Sequence, residues 1–158
     1  MVFHHQLEVL WQQDPLADLS KYIDPNYVPN DCYLGEKRGN TIFYPVISNR
    51  IWTIAELDIL MLRPGSPGSI LEGGGDIDNR LKTLFDSLKI PDSNVSNYHD
   101  DQERVFCLLQ DDKLITRVSV ETDRLLDPDP DKKNEVLLVI QVHVMASSGR
   151  NCNVAITS

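Results

Sequence analysis

The apolar positions change their spacing several times along the chain, and each spacing predicts an element. Residues 6 to 11, Gln-Leu-Glu-Val-Leu-Trp, open with alternating polar and apolar positions, the period of a strand with one buried face. His4 and His5 precede it. Neighbours on a strand point to opposite sides, so this pair reads as surface and not as a shared metal site. From about residue 12 to 40, Pro15, Pro25, Pro29, Gly35 and Gly39 predict a loop-rich N-terminal arm with room for a short helix at Leu16 to Tyr22. Thr41 to Tyr44 and Ala55 to Leu62 predict two strands, the second ending at Arg63-Pro64.

After the glycine-rich connector Gly65 to Gly75 the spacing becomes helical. Over residues 78 to 89, Leu81, Leu84, Phe85 and Leu88 fall at i, i+3, i+4 and i+7, and Pro91 stops the run. The polar stretch Pro91 to Arg104 reads as a loop. Val105 to Leu109 and Leu114 to Val120 predict strands, Asp127 to Asp131 a turn, and the β-branched run Glu135 to Val144 a central strand. Strands, one main helix and strands again predict an α+β fold, a mixed β-sheet with that amphipathic helix packed on one face.

A chain of 158 residues suits a single domain over 1–158, and 41% hydrophobic with 25% charged residues excludes a fully disordered chain. Cys32, Cys107 and Cys152 form no C-x-x-C pair and read as reduced thiols, Cys107 as an inert one within a strand. No charged-then-apolar leader opens the chain, and no apolar run approaches the roughly 18 residues of a membrane helix, so the expectation is a cytoplasmic protein without membrane contact. The net charge of -9 argues against binding nucleic acid by general attraction. The 15 Lys and Arg residues are scattered, so a basic groove has to be assembled by folding or dimerisation.

Candidate chemistry concentrates at Gly75-Asp76-Ile77-Asp78-Asn79-Arg80-Leu81-Lys82, where the connector becomes the helix. Aspartates two apart share a side of an extended chain, and carboxylates pooled from separate elements suit a hard cation such as Mg²⁺. A third carboxylate has to come from elsewhere. Lys82, four residues after Asp78 on a helix, is a cation suited to steadying a scissile phosphate or a leaving oxygen. The same residues also have an ordinary structural reading, Asp as a helix cap and Asp78 with Lys82 as a surface ion pair. His99 among acids and the acidic stretch Asp123 to Asp131 read as solvated.

The segment D-I-D-N-R-L-K-T-L-F-D-S-L, Asp76 to Leu88, resembles the motif of RusA-like Holliday-junction resolvases, D-x-D-N-x-x-K followed by a helix with a further Asp and Leu. Asp76, Asp78, Asn79, Lys82, Asp86 and Leu88 carry the match, and Asp111-Asp112 is similar to a later Asp-Asp pair at the start of a strand in that family. Most of the first 50 residues lie outside the resemblance. It implies a RusA-like α+β fold, a homodimer, and an endodeoxyribonuclease dependent on Mg²⁺, with Mn²⁺ as substitute, that resolves four-way DNA junctions by paired hydrolytic nicks in recombination and repair. It further implies Asp76, Asp78 and Asp112 as metal ligands and Lys82 as the phosphate or leaving-group partner, the Asp100-Asp101 pair being the alternative source of the third carboxylate. Two other expectations stand beside this one: a catalytically degenerate RusA-fold binding or assembly module, and a hydrolase of RNA or a nucleotide.

Overall fold

A computed structural model describes residues 2–26, 31–64, 77–92, 103–126 and 136–157. Its longest strand is β3, Thr53–Arg63, in which Ala55, Leu57, Ile59 and Met61 are buried and the alternate side chains are half-exposed. That alternation gives the sheet one face for the core. β3 pairs in parallel with β5, Ile115–Arg124, and antiparallel with β6, Leu137–Ala146, in the order β5-β3-β6. The other strands, β1 Glu36–Arg38, β2 Thr41–Ile47 and β4 Arg104–Leu109, form a second sheet in the order β1-β2-β4, antiparallel between β1 and β2 and parallel between β2 and β4.

Three sequence expectations change here. One mixed sheet becomes two three-stranded ones. The β-branched run at 135 to 144 becomes β6, which flanks β3 and is not central. Its burial alternates between half-buried and exposed positions, as in a strand with one face toward the core, and a β-branched run by itself cannot distinguish edge from centre. Finally, the expected strand at 6 to 11 belongs to a helix, α1, Val2–Leu10. Six alternating residues are too short a window to override the helical stripe of Phe3, Leu7 and Trp11, which packs into the core.

The two sheets enclose one principal core of Val46, Ile47, Leu57, Ile59, Leu108 and Leu109, joined by α1 and by the 3-10 helix Leu16–Ile23 of the arm, which buries Leu16, Leu19 and Tyr22. Helix α2, Ile77–Leu88, inserts Leu84 and Leu88 into that core, each contributing about 1.5–3 kcal/mol of burial. A short helix α3, Val154–Thr157, adds Ile156. The result is α+β, with α2 leading away from the end of the sheet at which β3 and β5 both finish.

Candidate functional site

Helix α2 starts one residue after Asp76, so Asp78 is its second residue and the extended spacing expected for the aspartate pair does not run through Asp78. Asp76, the Asp100-Asp101 pair, His99, the Gly65 to Gly75 connector and the Asp127 to Asp131 turn lie outside the described residues. The turns of α2 from Asn79 onward border a cavity. Asn79, Arg80, Thr83, Leu84 and Ser87 line a cavity of about 460 Å³ together with Met61 of β3 and Leu138 of β6. Lys82 is exposed on the same turns.

The end of β3, just past Met61, carries basic side chains. Arg63 is two residues beyond Met61 and therefore on the same face of the sheet, and the parallel register sets Arg124 of β5 directly opposite it. Like charges opposite one another on neighbouring strands are unfavourable unless an anion lies between them. Moreover, one terminal nitrogen of Arg63 and Nε of Arg80 are buried with no hydrogen-bond partner. An unsatisfied buried donor costs about 1–3 kcal/mol, more when charged, and an anionic oxygen is the partner that would remove that cost. In a chain of net charge -9, Arg63 and Arg124 thus stand opposite each other at the end of β3, two residues past Met61, which shares a cavity with Arg80 of α2, and Lys82 follows Arg80 on that helix.

Asp112 is placed elsewhere. It opens a 3-10 turn, Asp112–Leu114, immediately before β5, and Ile115 is registered against Ala55 at the start of β3. From Ala55 to Met61 is six strand residues, about 20 Å at ~3.3 Å per residue. The structure therefore brings Asp112 to the carboxyl end of α2 and not to its first turn, where Asp78 stands. There Lys89, whose side chain is only 15% exposed, lies 3.2 Å from Asp86, 3.5 Å from Asp112 and 3.9 Å from Asp92. Burial acts to lower the Lys89 pKa, but the surrounding carboxylates of Asp86, Asp112 and Asp92 outweigh it and raise the value. Asp112 thus shares one ammonium with two other carboxylates in an ion-pair cluster.

A third polar group occupies the outer face of the β5-β3-β6 sheet. Arg117 donates through Nε to Glu56 at 2.8 Å and through its terminal nitrogens to Asp58 at 3.0 and 3.3 Å, and Nε2 of His143 lies 3.1 Å from Asp58. The Arg117 hydrogen bonds hold the Asp58 carboxyl below the usual carboxylate range. Both carboxylates are committed to a guanidinium, so this group is an ion-pair network and not a hard-cation site. Among the described residues no three His, Cys, Asp or Glu side chains converge to hold a metal.

Carboxylates at positions 76 and 78 have the oxygen chemistry that Mg²⁺ takes, and Arg80 and Lys82 follow them in sequence on α2. Sequence reasoning picked out Lys82 and missed Arg63, Arg80 and Arg124. Nothing local marks Arg63 and Arg124, because the signal is the register of two strands whose partners are about 60 residues apart in sequence. The chain matches no protein-family model, no curated protein and no solved structure.

Proposed function

We propose that this protein is a metal-dependent endodeoxyribonuclease acting on branched DNA, with the phosphodiester backbone held at the amino end of α2. The observation that carries the reading is the pair Arg63 and Arg124, opposite each other at the end of β3, with Arg80 and Lys82 on the first turns of α2, and two buried guanidinium nitrogens, one of Arg63 and one of Arg80, that lack a partner. Arginine forks match phosphate oxygens in geometry and charge, and the first-turn N–H groups of a helix add a favourable field for an anion. Asp76 and Asp78 would hold Mg²⁺, and Asp100-Asp101 is the pair that remains to complete the ligand set, since Asp112 is paired with Lys89. The ion would supply an activated water and charge neutralisation at the phosphate. Lys82 contributes a cation for the leaving oxygen, while the arginines orient the backbone.

The test is cleavage of a synthetic four-way junction against linear duplex in Mg²⁺ and in Mn²⁺. Paired cuts that disappear in Asp78→Asn and persist in Asp112→Asn are the expected result. Loss of cutting in both variants alike would place Asp112 back in the ligand set. A second reading has its own observation, the commitment of Asp112 to Lys89, which is what a degenerate binding module would show. Under that reading the well-folded protein binds the junction through the same arginines and cuts nothing in either metal.

A further inference from the structure

Two of the three cysteines, far apart in sequence, are side by side in the fold. Cys152 is buried in the turn that leads into α3, within the principal core, and Cys32 of the arm packs half-exposed against the same core. The 3-10 helix Leu16–Ile23 brings them together. The backbone N–H of Leu34, two residues past Cys32, donates to the carbonyl of Tyr22 at 2.9 Å, and α3 packs on that same helix. Tyr22 borders both sulfurs, and a hydrogen bond joins the Cys32 and Cys152 thiols. Cys107 stands apart from them. It lies on β4 in a separate small cluster with Phe43, Ile90 and Val105, and burial pushes its thiol far above the usual range.

We propose that Cys32 and Cys152 are a redox dithiol, converted to an intramolecular disulfide by a small-molecule disulfide such as oxidised glutathione. A disulfide sets its sulfurs about 2 Å apart, so ring closure asks for a small approach of two side chains that already touch. Cys32 is the entry point because it is the half-exposed member of the pair. Its sulfur loses a proton to solvent, attacks one sulfur of the oxidant and displaces one thiolate, which takes up a proton. The Cys152 sulfur, deprotonated in turn, attacks the Cys32 sulfur and displaces the second thiolate. Two protein thiols are thereby oxidised by two electrons, and one oxidant disulfide is reduced to two thiols. Burial, the neighbouring Cys152 and Asp31 hold the Cys32 thiol above its usual range. Its thiolate is therefore scarce at neutral pH, and the first step gains about tenfold per unit as pH rises towards that range.

The place of this bond in the chain gives it leverage. β1 starts at Glu36 and β6 ends at Ala146, so the loop closed between 32 and 152 holds all six strands described above and α2. Closing so long a loop removes many conformations from the unfolded chain and few from the folded one. The proposal does not rest on the nuclease reading and survives its failure.

Its test exposes the folded full chain to oxidised glutathione at pH 7 and at pH 9, alkylates the remaining thiols in denaturant and maps the peptides by mass spectrometry. The expected result is loss of two of the three thiols, a peptide pair joined through Cys32 and Cys152, and an alkylated Cys107. Closure should be about 100-fold faster at pH 9 than at pH 7. A Cys107 left free also shows that the folded molecule reacted, since unfolding exposes all three sulfurs alike. The oxidised protein should melt about 5 °C or more above the reduced one and return to the lower midpoint in dithiothreitol. Three free thiols at both pH values, a lasting mixed disulfide at Cys32 beside a free Cys152, or equal modification of Cys107 would overturn the proposal.

Discussion

Asp111 stands at the entry to β5, where its side chain accepts the backbone N–H of Lys113 at 2.9 Å and caps the short 3-10 turn. That hydrogen bond is the main reason its carboxyl sits below the usual range. A carboxyl depressed in the folded state contributes stability that is present above its unfolded pKa, roughly 3.9, and is lost as pH falls through the folded value. Asp111→Asn can keep the cap but cannot titrate. Thermal melts of the variant across the acid range should therefore show a shallower loss of stability below roughly pH 4 than the parent shows. A second residue of consequence is Asn153, fully buried, whose Nδ2 donates to the carbonyls of Ile51 at 2.9 Å and Ser148 at 2.8 Å while its Oδ1 accepts from the backbone of Arg150. It holds the segment around Trp52, a non-glycine residue at φ 52 whose left-handed conformation costs about 1–2 kcal/mol. Removing the amide in Asn153→Ala leaves buried carbonyls without donors, and urea unfolding should register a loss of about 2–3 kcal/mol. Asp111 acts locally, on an N–H two residues ahead, whereas Asn153 is not marked by sequence pattern because the carbonyl of Ile51 that it serves is brought to it by folding.

α2 was the most legible element. Its expected span, 78 to 89, differs by one residue at each end from the observed Ile77–Leu88, because four apolar positions at helical spacing followed by a proline leave few alternatives. The stripe is not uniform, however: Leu84 and Leu88 are buried, while Leu81 and Phe85 remain half-exposed beside the core. Leu88→Ala should then cost about 2–5 kcal/mol in denaturant unfolding, and Leu81→Ala clearly less. Equal losses would mean that the helix sits differently on the sheets. The strand cores at 41 to 44, 55 to 62, 105 to 109 and 114 to 120 were legible for the same reason, since period-2 burial and β-branched residues are local signals. α1 was misread because its alternating stretch is short. The residues that reveal its helical stripe are Phe3 and Trp11, at and beyond the ends of that stretch.

For the whole molecule, the net charge of -9 and the arginines at the end of β3 make opposite statements about DNA, and the local one governs a contact, because screening confines charge effects to about a Debye length, ~8 Å at physiological salt. Junction affinity should fall as salt rises. Exchanging Arg124 for Gln should weaken binding to all DNA sequences alike and reduce the slope of log affinity against log salt by about 1, measured by anisotropy titrations at several salt concentrations. A slope unchanged by Arg124→Gln would remove the β5 end from the binding surface. Arg117→Gln is the matching control, because that guanidinium is already engaged by Glu56 and Asp58.

The sequence by itself determined the α+β class, the main helix and most of the strands, because hydrophobic period is a property of neighbouring residues. Only the tertiary structure decided which strands adjoin. Pairing β3 with β5 in parallel puts Arg124 opposite Arg63, and the same register carries Asp112 to the far end of the sheet beside Lys89. Pairing β3 with β6 leaves β6 at an edge of its sheet among the described residues, with Leu137 and Val139 exposed on the face that also carries His143. Choice of partner and register depends on contacts between residues tens of positions apart, and a shift of two residues would move these side chains while leaving every local period intact.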